Sequence, residues 1–226
     1  MKLPRRKFLH LAAGAAALPA VSRIAKAQAY PARPVRIVVG FAAGGPNDIL
    51  ARLLGQWLSE RLGQTFVIEN RPGASGNIAT EAVARSAPDG YTLMTVSPTN
   101  AVNAILYENK LNFDFKRDIA PVATIFRGPF VVTVHPAVPA TTVPELIAYA
   151  KANPGKVNYA SVGNGSPAHL GSELLKMMTG IDMVHIPYHG GGPAITDTIA
   201  GQVQLYLIPT VASVEYIRAG KCGRWP

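Results

Sequence analysis

From Val35 onward the apolar positions first cluster and then spread. Val35, Ile37, Val38 and Val39 form a short β-branched run, the pattern of a strand buried on both faces. A glycine turn follows at Gly44-Gly45. Pro46 with Asn47 or Asp48 then opens a helix that carries Ile49, Leu50, Leu53, Leu54, Trp57 and Leu58 on one stripe. A strand that enters a glycine turn and then a helix gathers backbone N–H groups and the positive end of a helix dipole at one spot. Such a spot suits an anion.

The same pattern recurs. Residues 64–69 read as a second strand and residues 70–77 as a second glycine-rich turn. A helix from 78 to 85 follows, and a third strand, 91–96, ends in Ser97-Pro98-Thr99-Asn100. This β-α-β-α-β order predicts a parallel sheet with helices on both faces. Residues 107–118 are irregular, and the apolar runs 119–126 and 129–135, split by Arg127-Gly128, mark the crossing into a second lobe. There Thr142 caps a helix over 144–152. Strands 157–162, 183–188 and 202–208 alternate with helices 167–179, 193–200 and 211–219. The expected class is α/β, with lobes at 30–126 and 127–219, each a mainly parallel sheet flanked by helices.

Charge changes the picture less than its total suggests. The formal net charge is +9, but Lys2, Arg5, Arg6, Lys7, Arg23 and Lys26 all lie in the first 29 residues, which hold no acid. The remainder is mildly basic, without clustered cations and interleaved aromatics, which excludes a nucleic-acid partner. Residues 1–29 have a basic start, an apolar middle and a small-x-small end at Ala27-Gln28-Ala29, the layout of a secretory signal peptide. Arg5-Arg6 followed by Phe8-Leu9 resembles the twin-arginine (Tat) motif. The expectation is export to the periplasm with cleavage after Ala29. The single cysteine, Cys222, excludes an internal disulfide framework and a CxxC metal site.

Open α/β sheets hold ligands at the carboxyl ends of their strands. Gly44-Gly45-Pro46, Gly163-Asn164-Gly165-Ser166-Pro167 and Gly190-Gly191-Gly192-Pro193 all fall there, each pairing glycine with a proline near the first helical position. The run Gly163 to Ala168 fits G-x-G-x-x-A, but the next strand ends Ile186-Pro187-Tyr188-His189 without the acid a dinucleotide ribose requires. No other cofactor motif stands out. A serine hydrolase could be assembled from Ser166, His169 and Asp197, although the G-x-S-x-G elbow is missing and His169 lies three residues from Ser166 on the same helix. His135, His185 and His189 are too scattered for a metal site. Asp48 and Asp197 either balance a helix dipole, position their loops or meet a ligand ammonium group. Phe41 and Tyr188 are core residues or flat walls of a cleft.

Tyr30-Pro31, Gly44-Gly45 with Asp48 and Arg52, residues 70–76, Pro88-Asp89-Gly90-Tyr91, Gly165-Ser166 with His169-Leu170, and Ile186-Pro187-Tyr188 with Asp197 together resemble the Bug-type (TctC-like) family. Its members are the extracytoplasmic solute receptors of tripartite tricarboxylate transporters. The resemblance implies a type II-like periplasmic binding protein, not an enzyme. Such a receptor is monomeric, closes on a small di- or tricarboxylate, acidic amino acid or aromatic acid, and hands it to a membrane permease. It implies ligand contacts at Phe41, Ala43, Gly44, Gly45, Asn47 and Asp48, at Ser97 and Thr99, and at Gly163, Gly165, Ser166, His169, Tyr188 and Asp197. The start of the first helix should then face Gly165-Ser166 across the cleft.

The match stops after Lys221. Where the family continues with an apolar strand of the type Leu-Arg-Ala-Leu-Ala, this chain reads Cys222-Gly223-Arg224-Trp225-Pro226, the product expected from loss of one base. On that reading residues 220–226 are an aberrant tail. The first lobe then lacks its returning segment, and the expected consequences are an exposed sheet edge and a marginally stable or insoluble product that binds weakly or not at all.

Overall fold

The computed structural model describes residues 29–223, in two units, Met1–Ala32 and Arg33–Pro226. Of the first unit only residues 29–32 are described, and they carry no helix or strand. The proposed leader and twin-arginine motif therefore lie outside the described residues.

In the second unit, β1 (Val35–Val39) is buried at Val35, Ile37, Val38 and Val39 and lies between β2 (Phe66–Asn70) and β3 (Thr92–Thr95), parallel to both. The register sets Ile37 opposite Ile68 on one side and Leu93 on the other. The chain runs outward from β1 to β2 through α1 (Pro46–Leu62). It then returns past β1 to β3 through α2 (Asn77–Ala84). Right-handed crossovers in opposite directions place the two helices on opposite faces, and the carboxyl end of β1 becomes the point where the winding reverses.

The face that α1 buries differs from the expected stripe. Asp48, Ala51 and Gly55 are buried, whereas Ile49, Leu53 and Trp57 are 37%, 61% and 51% exposed. The six apolar residues named from the sequence span too wide an arc for one face. The small side chains of Ala51 and Gly55 let the helix lie close to β2, and Leu58 packs beside them. Hydrophobicity alone chose the wrong side here.

After β3, where the sequence reads as a strand ending, the chain forms a helix, α3 (Pro98–Leu106). Ser97 and Asn100 lock its start: the Ser97 backbone N–H and the Ser97 hydroxyl both donate to Asn100 Oδ1, at 2.9 and 3.0 Å. A short helix, α4 (Phe115–Asp118), begins where the Asp114 carboxylate accepts from the Lys116 and Arg117 amides. Residues 119–129 form no regular structure, and Val122 is 83% exposed.

The second sheet has the order β4-β7-β5-β6, built from β4 (Phe130–Val134), β5 (Val157–Ser161), β6 (Met183–Pro187) and β7 (Leu205–Pro209). Only β4 runs antiparallel to its neighbour. Its helices are α5 (Val143–Ala152), α6 (Pro167–Thr179), α7 (Gly191–Ile199) and α8 (Thr210–Arg218). As expected, Thr142 caps α5, accepting from the Glu145 amide at 3.4 Å, and Gly180 ends α6 in the left-handed conformation. Winding reverses again, from β5 out to β6 and back past β5 to β7, so the carboxyl end of β5 is a second switch point. Cys222, in the tail, is buried beside Tyr206 and Ile208, and the Gly223 amide donates to Val134 O at 2.8 Å.

The α1 packing gives a direct check in urea unfolding. Ala51→Leu should cost about 1–3 kcal/mol by overpacking. Leu53→Gln, on the exposed side, should stay within about 0.5 kcal/mol of the parent.

Candidate functional site

Both switch points open onto one cavity of about 530 Å³. Gly40 and Phe41 follow β1, Gly73–Asn77 follow β2, Val162–Asn164 follow β5, and Pro187 ends β6 with Tyr188 and His189 after it; Tyr107, Lys110 and Phe113 form a further wall. The volume is within the range of small-molecule sites, about 300–1,000 Å³.

Glycine brings the loops of the two sheets together. The Ala42 amide donates to His189 O at 2.9 Å. A Cβ on Gly45 would stand 3.0 Å from Gly191 N, and one on Gly192 would collide with Ala43 O. Gly44-Gly45 therefore faces Gly191-Gly192, not Gly165-Ser166 as the sequence had suggested. The 163–165 turn instead meets the loop after β2 and helix α3: a Cβ on Gly163 would collide with Ser75 Oγ, and one on Gly165 would stand 3.0 Å from Asn103 Oδ1 on α3. The reason is topological. α7 follows β6 at one end of the cleft, and α6 follows β5 beside the other loop.

The loop after β2 is held under strain. Ala74 and Ser75 have φ of 47° and 54°, left-handed values unusual for residues with a side chain. Polar side chains buried behind the loop over-determine it. Asn103 Nδ2 donates to Ser75 O at 2.9 Å and to Asn77 Oδ1 at 3.2 Å. Asn100 Nδ2 donates to Thr80 Oγ1, which in turn donates to Gly76 O.

Asp48 does equivalent work for the first loop. Its buried carboxylate accepts from the Gly44 amide at 2.9 Å, from Arg52 Nε at 3.0 Å and from Asn70 Nδ2 at 2.9 Å. Asn70 Nδ2 also donates to Phe41 O. Burial pushes the Asp48 carboxyl up, but Arg52, the Gly44 amide and Asn70 together outweigh it and hold the group below its ordinary value. Of the three roles open from sequence, the geometry gives Asp48 the loop-positioning one.

The remaining candidates are spread around the cavity. Phe41, Gly163 and Tyr188 line it. Ala43, Gly44 and Gly45 belong to the loop against α7, Asn47 lies in the first turn of α1, and Ser97 and Thr99 start α3. Tyr188 donates to Asp197 Oδ2 at 2.8 Å, and burial together with that carboxylate pushes the phenol up to about 12. Ser166 caps α6 by accepting from the backbone N–H of His169, and His169 Nδ1 accepts from the Gly165 amide. Ser166, His169 and Asp197 thus form no relay, since each is engaged with a different partner. Among the described residues no group of His, Cys, Asp and Glu is arranged to hold a metal, and no helix is long and apolar enough to cross a membrane.

Residues 50–224 match the model of the tripartite tricarboxylate transporter family receptor. The chain belongs to this receptor family. BugT of Bordetella pertussis is 40% identical over 196 residues, covering 86% of this chain and 60% of that protein. The R. palustris protein Rpa4515, solved with adipate, superimposes with a TM-score of 0.82 at 40% identity, covering 87% of this chain and 66% of that one. MatC from Rhodopseudomonas palustris, solved with malate, gives 0.79 at 33% identity over 85% of this chain and 66% of that one. The chain thus spans under two thirds of each of these relatives. The α/β architecture of parallel sheets flanked by helices is that of the periplasmic binding proteins it superimposes on.

For a receptor of this family, the cavity wall includes residues that sequence reasoning passed over. Ser75 and Asn77 had a signal, because the 70–77 turn follows a strand just as the other three turns do. Asn164 sat inside a turn already singled out. Tyr107, Lys110 and Phe113 had none, since no period or motif marks that segment.

Asp48→Asn should cost about 2 kcal/mol at neutral pH, the scale of hydrogen bonds to a charged group. Because the folded carboxyl is depressed, its contribution is complete above the unfolded value near 3.8 and is lost as pH falls through the folded value. Parent and variant stabilities should therefore converge in acid, as read by urea unfolding from pH 7 to pH 2.

Proposed function

We propose that this chain is the solute-capturing part of a periplasmic receptor. Two lobes, residues 30–126 and 127–219, close on a small carboxylate and present it to a membrane permease of the tripartite tricarboxylate type. The carrying observation is the single cavity reached by the switch points of both sheets. Its walls suit such a ligand. Ser75, Asn77, Asn164 and Tyr188 offer neutral polar groups, and Lys110 is the one Lys or Arg among the lining residues. Glu81, the lining acid, is paired with Arg85 on the same helix. Phe41, Tyr107, Phe113 and Tyr188 supply flat apolar walls for an alkyl or aromatic body. Neutral donors with one cation hold a carboxylate firmly enough to capture it and loosely enough to release it. Adipate and malate, bound in the two R. palustris relatives, are both small dicarboxylates.

In this reading Phe41, Gly163 and Tyr188 touch the ligand together with Ser75, Asn77 and Asn164. Asp48, Asn70, Asn103 and Asp197 shape the loops from behind. The receptor acts as a monomer and catalyses nothing, and the basic, apolar leader ending at Ala29 directs it to the periplasm through the twin-arginine route.

Calorimetry with adipate and malate, titrated to millimolar concentration, tests the proposal. The chain should bind at least one of them. Gly163→Val should weaken that binding by roughly ten-fold or more, because the new side chain meets Ser75 and the residue sits at φ +114°. Failure of the parent chain to bind either diacid, or unchanged binding by Gly163→Val, would overturn it.

A further inference from the structure

His185 has no part in the reading above, yet it is packed directly behind the loop that lines the cavity. It lies on β6, half-buried, with its ring stacked on Tyr159 (centroids 4.9 Å apart, planes 16° apart) and 4.5 Å from the His169 ring. Its Nε2 is 2.6 Å from Ser161 Oγ. Ser161 is fully buried at the end of β5, and its Oγ accepts from the Gly163 amide at 3.0 Å.

The serine hydroxyl has one proton and two places to put it. His185 Nε2 lies at 2.6 Å and Gly163 O at 3.3 Å. With a bare Nε2 the proton goes to the nearer acceptor, and the Oγ lone pairs face the Gly163 amide. If Nε2 carries a proton it must donate instead, and the hydroxyl is turned onto the longer contact with Gly163 O. The His169 side chain meets the same loop, its Nδ1 accepting from the Gly165 amide at 3.3 Å.

We infer that His185 is a positioning residue of this loop: acting through Ser161 it orients the Gly163 backbone, and protonation of its ring loosens that brace. Its importance for ligand capture rests on the cavity reading above.

The groups facing the ring all bear on its charge. Among the described residues, Glu173 on α6 is the carboxylate that acts on it. That carboxylate already accepts from Tyr159 Oη at 2.6 Å and from Lys176 Nζ at 2.9 Å. Lys176 adds positive charge from the same helix, and the His169 ring stands beside the His185 ring. Burial above all, with the charge of Lys176 adding to it, pushes the His185 ring below its ordinary value. The sign follows: the brace is complete above the free imidazole range, near 6.5, and is lost as pH falls through the ring's own midpoint.

Nitrogen-15 NMR of the 226-residue chain reads both ends of the strut. The Gly163 amide shift should follow the His185 ring titration with the same midpoint. In Ser161→Ala the ring should still titrate while Gly163 no longer follows, and the Gly163 amide should exchange roughly five-fold faster at pH 7. His185→Gln keeps a side-chain acceptor, so Gly163 should stay protected at pH 7 and become flat with pH. This second variant decides the matter if Ser161→Ala does not fold. A Gly163 amide that ignores the His185 titration in the parent, or that follows it in His185→Gln, overturns the inference. Adipate titrations of the parent and His185→Gln at two pH values separate the two readings, because their ratio cancels the diacid's own protonation. Intact NMR linkage with neither adipate nor malate bound sinks the cavity reading alone. Intact binding with Gly163 uncoupled sinks the brace alone.

Discussion

Backbone touches backbone where the two sheets meet, and the rest of the structure depends on that contact. Gly192 against Ala43 leaves no room for a Cβ, Gly45 against Gly191 leaves very little, and beside them Gly163 packs on the Ser75 side chain. Each of these residues ends or follows a strand, so the contact gathers the carboxyl ends of two separately wound sheets at one place. Larger side chains there would hold the sheets apart. The cavity at the two switch points would then become an open groove, where water competes for every donor.

Glycine permits the approach, but it does not hold a loop in shape. Buried polar side chains do that. Asp48 anchors the Gly44 amide, Asn70 anchors Phe41 O, Asn103 anchors Ser75 O, and Ser161 anchors the Gly163 amide. Removing such groups from water is costly unless their hydrogen-bonding capacity is met. Most of that capacity is met here, and Asn103 Oδ1 is an exception among the described residues, lying beside Gly165. The left-handed Ala74 and Ser75 show what this scaffold withstands, since nothing local favours that conformation in either residue.

Much of the fold was legible in the sequence. The run Val35–Val39, the Thr142 cap and the Gly180 stop each rest on local chemistry, and each stands where that chemistry puts it. The turns that border the cavity were legible for the same reason: glycine after a strand and proline at a helix start constrain only neighbouring residues. The buried face of α1 was not legible. Ala51 and Gly55 are chosen by the close approach of β2, a contact made with residues more than ten positions away. Helix α3 left a signal in Ser97-Pro98-Thr99-Asn100, which serves as a strand ending equally well until its side chains are seen to bond each other.

By itself, then, the sequence determined the alternation of strands and helices and the placing of glycine turns at strand ends, because those are near-neighbour effects. Which turn meets which was decided only by tertiary structure. Strand order carries α7 to α1 and sets the 163–165 turn against Ser75, and strand order depends on pairings between distant segments that no local pattern encodes. Lys110 reaches the cavity by the same route. Its chemistry was visible along the chain, but its position in space required the two sheets to be folded and brought together.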